Sequence, residues 1–340
     1  METPFWIWLL TILFVLGLLI FDFYSHVRTP HEPTIRESAT WSIVYIGIAV
    51  AFGVGVGLTS GWDLGGQYFA GWITEKALSV DNLFVFLIIM TSFAVPRIYQ
   101  QKVLLVGIAI ALVSRGLFIA VGVTIIENFS WVFYLFGALL FWLAYSQVRG
   151  GHDDHSGDGD SRLIRILRRV IPTSPDYDGQ KLTTKVGGRR LFTPLLLVML
   201  AIGFTDVLFA LDSIPAIFGL TQDAFIVFTA NAFSLLGLRQ LYFLISGLLE
   251  RLVYLAQGLA VILAFIGVKL VFHALHVNEV PWINGGHSVE WIPEIPISVS
   301  LGFIVLTILV ATVLSLRKSS RDRADEDQRA EVAARRKSAS

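Results

Sequence analysis

Cysteine is absent from the 340 residues, and methionine appears three times. Disulfides, thiolate chemistry and soft-metal thiolate sites are thereby excluded. Charge is scarce: Asp, Glu, Lys and Arg make up 15% of the chain, against about 25% in an ordinary soluble domain. Acidic and basic residues balance at 26 each, so no net field draws the chain to nucleic acid, and nucleic acid is not expected as a partner. A serine elbow, an HExxH pair and a nucleotide-binding loop are all missing. The chain is therefore not read as an enzyme, and ATP is not read as its energy source.

What fills the chain is apolar surface. Hydrophobic residues account for 55% of it and the mean hydropathy is +0.69. Runs of about 20 apolar residues place it in a bilayer. The spacing predicts an all-α polytopic membrane protein with about nine transmembrane helices, at 5–23, 41–58, 70–95, 103–125, 130–148, 192–220, 224–248, 252–274 and 296–316. The first run lacks a positive leader and a small-residue cleavage site, since Phe21-Asp22-Phe23-Tyr24 follows it. It reads as a retained helix.

Basic residues gather in alternate loops: Arg28 and Arg36, Arg97 and Lys102, the long 149–191 segment, Arg251, and the tail from Arg317. The opposite loops, 59–69, 126–129, 221–223 and 275–295, contain no Lys or Arg. The positive-inside rule predicts an outside N-terminus and a cytoplasmic C-terminus. Residues 1–316 form the expected transporter domain and 317–340 a disordered cytoplasmic tail. The 149–191 loop opens His152-Asp153-Asp154-His155 between glycines and reads as a solvated segment rather than a metal site. Its Arg162, Arg165 and Arg169 line one helix face, suited to anionic headgroups or to anchoring alone.

Against this apolar background one stretch stands out: Thr74-Glu75-Lys76-Ala77-Leu78-Ser79-Val80-Asp81-Asn82, opening onto Leu83-Phe84-Val85-Phe86. Ionisable groups inside a span are costly and mark a functional site by default. The pattern returns 131 residues later as Thr205-Asp206, five residues, then Asp212-Ser213. Thr74 aligns with Thr205, Glu75 with Asp206, Asp81 with Asp212 and Asn82 with Ser213. The following spans each carry one deep arginine, Arg115 and Arg239. Spans 3–5 (about 70–148) thus resemble spans 6–8 (about 192–274), and alternate crossing makes this three-helix repeat inverted. Secondary transporters are built this way, with substrate sites at the repeat interface.

On a helix Glu75, Ser79 and Asn82 share one face, and Thr74 and Asp81 the neighbouring stripe. Asp206 with Ser213, and Thr205 with Asp212, repeat the arrangement. Inverted symmetry predicts Asp81 and Asp212 at one depth, with Glu75 outward and Asp206 inward, and a metal site between Asp81 and Asp212. Pro215 cannot donate to the Leu211 carbonyl, freeing an oxygen beside Asp212; Asn231 offers another. An all-oxygen set of this kind suits a hard divalent cation. Arg115, Arg239 and Lys269 are the candidate charge-balancing cations. The bland alternative is that the acids and arginines are buried ion pairs that only join helices.

Glu75, three residues, then Ser79-Val80-Asp81-Asn82-Leu83-Phe84-Val85-Phe86, together with Asp206, five residues, then Asp212-Ser213-Ile214-Pro215-Ala216, resembles the TerC/Alx family of bacterial integral membrane proteins. The resemblance covers roughly residues 5–316. It implies placement in the bacterial plasma (inner) membrane and export of manganese, with Glu75, Asp81, Asn82, Asp206, Asp212 and Ser213 binding the ion. The family name comes from tellurium resistance. Mn²⁺ is then a transported substrate, with no permanently bound cofactor expected. A tellurite or other oxyanion handler, and a non-transporting scaffold, are the alternatives. Oligomeric state and the choice among Mn²⁺, Mg²⁺ and Ca²⁺ are left open by the residues.

Overall fold

The computed structural model describes residues 3–27, 32–150, 172–186, 189–245, 254–289 and 291–338; within these, the side chains of Asp81, Phe84, Glu127, Val186, Arg189, Leu211, Asp212, Ile245 and residues 320–338 fall outside the description. Helices follow one another as α1 (Phe5–Asp22), α2 (Ile35–Ser60), α3 (Trp62–Ser92), α4 (Arg97–Asn128) and α5 (Val132–Gly150). A hairpin of β1 (Thr183–Val186) and β2 (Arg189–Phe192) comes next. Then come α6 (Pro194–Phe218), α7 (Ala224–Leu235), α8 (Leu238–Ile245), α9 (Leu255–His276) and α10 (Ile297–Ser338). A π-helical turn, Phe23–Val27, extends α1. In hydrocarbon the backbone must satisfy its own hydrogen bonds, which is why apolar runs of this length fold as helices.

Among the described residues, eight helical segments are long and apolar enough to cross a membrane, α7 and α8 counting as one. At 31 residues α3 is long enough to be the ninth. It is not apolar enough, because Glu75, Lys76 and Asp81 occupy its middle. Exposed Leu58, Val113, Leu117 and Leu306 give the outer helix faces the apolar surface that lipid solvates.

Several expected boundaries change. The loop expected at 59–69 is almost wholly helix: α2 ends at Ser60, Gly61 turns at φ 100°, and α3 begins at Trp62. The 149–191 segment carries folded structure in its second half, where Thr183 stands opposite Phe192 and Val186 opposite Arg189. Its His152–His155 cluster and its arginine face lie outside the described residues. The tail expected to be disordered continues α10 to Ser338. Ala and Arg are the commonest residues after Ser320 and neither Gly nor Pro interrupts it, so helix propensity outweighs the missing apolar stripe. Finally, the seventh span is broken after Leu235.

The core forms where α3, α4 and α6 meet, where α5, α6 and α9 meet, and where α1 and α2 cover α7. Principal contacts pair α5 with α9, α4 with α6, α3 with α7, and α3 with α6. Helices α3 and α6 run antiparallel. The Thr221 hydroxyl donates to Gln67 Oε1 at 2.5 Å, a Cβ on Gly71 would touch Ile217, and Ser213 lies beside Glu75. At the far end the Tyr177 hydroxyl, just before the hairpin, donates to the Phe93 carbonyl at 2.8 Å.

Candidate functional site

Helix α3 buries Glu75 completely, and α6 leaves Asp206 1% exposed. Between them lies Arg115 of α4, the largest fully buried side chain described. Its Nη1 donates to Glu75 Oε2 at 2.5 Å. Its Nε and Nη2 reach Asp206 Oδ2 and Oδ1, each at 3.4 Å. One guanidinium thus links two carboxylates from two helices. The pair is uneven: Glu75 holds the short bond, and the Asp206 contacts are at the long limit of hydrogen bonding.

Around this bridge, polar atoms lack partners. Thr74 Oγ1, Glu75 Oε1, Ser79 Oγ, Thr205 Oγ1, Ser213 Oγ and both amide atoms of Asn231 are buried without a hydrogen bond among the described residues. The Ser213 hydroxyl approaches the Glu75 carboxylate without closing a well-formed bond. Buried polar groups are nearly always satisfied, and each exception calls for a water, an ion or a functional reason. These seven atoms fall on the two related stretches and on α7, which packs against α3; Ser38 Oγ, Ser42 Oγ, Trp72 Nε1 and Gln240 Oε1 are similar cases outside the stretches. Asn82 is buried as well.

The α3–α6 register revises the expected ladder. Gln67 meets Thr221, Gly71 meets Ile217 and Glu75 meets Ser213. Continued along the helices, it sets Asp206 level with Asn82 and Asp212 level with Lys76. Glu75 and Asp206 do occupy different levels, with Arg115 spanning them. Asp81 and Asp212 do not share one depth: the register separates them by five residues, about 7.5 Å of helix. Asp81 belongs to the Asp206 level and Asp212 to the Glu75 level. The side chains of Asp81, Asp212 and Leu211 lie outside the described residues. Pro215 sits inside α6, four residues after Leu211. Among the described residues, no three His, Cys, Asp or Glu side chains come together as a metal-binding group.

Two expected charge-balancing residues are elsewhere. Arg239 of α8 binds Asp22, through Nη2 to Oδ1 at 2.8 Å and Nε to Oδ2 at 3.0 Å. It also donates to Gln101, while Gln240 and Tyr45 donate to Asp22 at 2.7 and 3.1 Å. This buried network joins α1, α2, α4 and α8, apart from the Glu75–Arg115–Asp206 bridge. Asp22 stood at the end of an apolar run, and the rule that singled out Glu75 applies to it equally. Lys269 lines a cavity of about 730 Å³ at the end where α3 begins, with Asp63, Gln67, Thr221, His273, His276 and Glu294. The Gln67–Thr221 hydrogen bond lies between this cavity and Glu75, which is eight residues, about 12 Å, further along α3.

The comparisons with known proteins agree with the motif. The model of the integral membrane protein TerC family matches residues 60–323. The chain belongs to the TerC family. Among TerC relatives, the "Uncharacterized membrane protein Rv2723" of Mycobacterium tuberculosis is 53% identical over 312 residues, covering 91% of this chain and 78% of that one. The "Thylakoid membrane protein TERC, chloroplastic" of Arabidopsis thaliana is 39% identical, covering 86% and 71%. The "Putative membrane-bound redox modulator Alx" of Escherichia coli K12 is 37% identical, covering 84% and 86%. No solved structure matches.

Proposed function

We propose that this TerC-family membrane protein is a secondary exporter of a divalent metal cation, with Mn²⁺ as the expected substrate, and that the acids of α3 and α6 carry it. One observation supports this above the rest. Two related stretches place buried carboxylates around a single arginine, with buried hydroxyl and amide groups on the same helices and on α7 that have no partners among the described residues. Carboxylate, hydroxyl and amide oxygens together form a donor set for a hard divalent ion.

The charge balance points the same way. With Arg239 engaged by Asp22 and Lys269 at the end cavity, the two stretches and Arg115 contribute four acids against Lys76 and Arg115. Two negative charges remain, which one divalent cation balances. The inverted repeat has support in the packing. Exchanging α3 with α6, α4 with α7, and α5 with α9 carries the principal contacts among these helices onto themselves. It also swaps the Glu75–Ser213 level with the Asp206–Asn82 level. The cavity beyond Gln67–Thr221 offers a route toward one side of the membrane. By the loop charges this is the outer side, with the C-terminus cytoplasmic and the plasma membrane as the expected location.

An oxyanion substrate is less well served, because Arg115 is already committed to two carboxylates. The redox role in the name of Alx has no thiol counterpart here, since this chain has no cysteine. Inside-out vesicles carrying the protein should accumulate radiolabelled Mn²⁺, and Glu75→Gln or Asp206→Asn should abolish the accumulation. If the intact protein moves no Mn²⁺, the exporter reading fails. If the ion moves normally in both variants, the site assignment fails. A scaffold would instead tolerate both substitutions and lose its role when 151–190 is deleted.

A further inference from the structure

The break between α7 and α8 is unlike the other helix ends, because it lies within a span. Leu236 is extended (φ −60°, ψ 133°) and Gly237 adopts φ 76°. The carbonyls that end α7 therefore have no helical donors. Two of them are met by Lys76 of α3, whose Nζ donates to Ser234 O at 2.9 Å and to Leu236 O at 3.2 Å. On the other side of the break a Cβ added to Gly237 would lie 2.9 Å from Tyr45 Cβ, so α2 holds the hinge residue closely. Arg239, two residues on, is fixed to Asp22.

We infer that the α7–α8 break is a cation-binding hinge built from backbone carbonyls, that the Lys76 ammonium is its resident cation, and that a substrate cation entering beside Glu75 repels Lys76 and frees the hinge. Backbone carbonyls at a broken helix form a site for a small monovalent cation, and the helix dipole adds partial negative charge there. An ammonium has three N–H donors; two serve these carbonyls, and none of the described residues accepts the third. Glu75 faces Arg115 while Lys76, the next residue of α3, faces the break; both lie in one low-dielectric interior, where a dication on the Glu75 side and the ammonium repel through space. Lys76 would thus act as a positioning residue, converting occupancy of the acids into opening of the span next to them. The coupling half of this inference rests on the cation-transport reading; the latch half does not.

The test uses the full-length chain purified in detergent. In Lys76→Ala, ammonium chloride should raise Tm relative to choline chloride, saturably and by about 2–4 °C, while wild type and Lys76→Arg should not respond. An equal response to the two salts in Lys76→Ala overturns the latch. The native chain has no cysteine, so a single Leu236→Cys thiol reports on the hinge. Its maleimide labelling should rise about tenfold with Mn²⁺, and in Lys76→Ala it should be fast with or without Mn²⁺. Mn²⁺ binding by calorimetry, run in parallel, separates the two readings. Binding without faster labelling overturns the coupling alone, and no binding by the wild type overturns the transport reading together with the coupling.

Discussion

Replacing Arg115 by Gln strips the positive charge from between Glu75 and Asp206. Both acids are buried, at 0% and 1% exposure, and neither can recover hydration without rearrangement of α3 and α6. Removing one partner of a buried ion pair costs about 3–5 kcal/mol, because a charge is left uncompensated. At roughly 2 °C per kcal/mol for a chain of this size, Tm should fall by about 6–10 °C. The loss should be partly reversed by adding Glu75→Gln to Arg115→Gln, since that removes the carboxylate holding the 2.5 Å bond. A coupling energy of about 1–3 kcal/mol is expected in the double-mutant cycle. Mn²⁺ should stabilise the single variant, by about 2.7 kcal/mol at a hundredfold excess over its Kd, because the ion takes over the role of the guanidinium. Thermal unfolding in detergent, followed by tryptophan fluorescence over an Mn²⁺ titration, reads all of these. An Arg115→Gln protein with unchanged Tm and no gain from Mn²⁺ would refute the reasoning, leaving the arginine as a spectator of the acids.

Other perturbations separate structure from function. Arg239→Gln should destabilise by about 3–5 kcal/mol, through the unpaired Asp22, while leaving Mn²⁺ affinity in calorimetry unchanged. Gly237→Ala places a Cβ at positive φ and against Tyr45; it should cost about 1–3 kcal/mol, measured as a fall in Tm. Thr221→Val removes the hydroxyl that donates to Gln67. A Ser79→Cys thiol in that background should be labelled by an impermeant maleimide faster than with Thr221 intact.

The sequence was informative wherever polarity met an apolar run. Glu75, Asp206 and Arg115 are visible because a charged group inside a span is too costly to be incidental, and the structure brings these three together. The partners of the second arginine were not visible. Arg239 looked equivalent to Arg115 by position in its repeat, yet its acid, Asp22, comes from α1, outside both repeats. Sequence offset carries no information about which helix packs opposite. The depth of Asp81 and Asp212 was misjudged for a related reason. Symmetry says only that the two stretches exchange; the register along α3 and α6 depends on where Gln67 meets Thr221. The break at Leu236-Gly237 was hidden because Leu236 and Leu238 continue the apolar pattern, and a lone glycine inside a span is common. Lys76, which in the sequence is one more charge of the Thr74–Asn82 stretch, sits where carbonyls need a donor.

The carboxylates of α3 and α6 are proposed to hold one divalent cation between them. Electron paramagnetic resonance of Mn²⁺ added to the purified protein tests this most directly, since bound and free ion give different spectra. One ion should bind per chain, be lost in Glu75→Gln and in Asp206→Asn, and be retained in Arg239→Gln. Mn²⁺ that stays fully free with the wild-type protein, or binds equally well without Glu75 and Asp206, would contradict it.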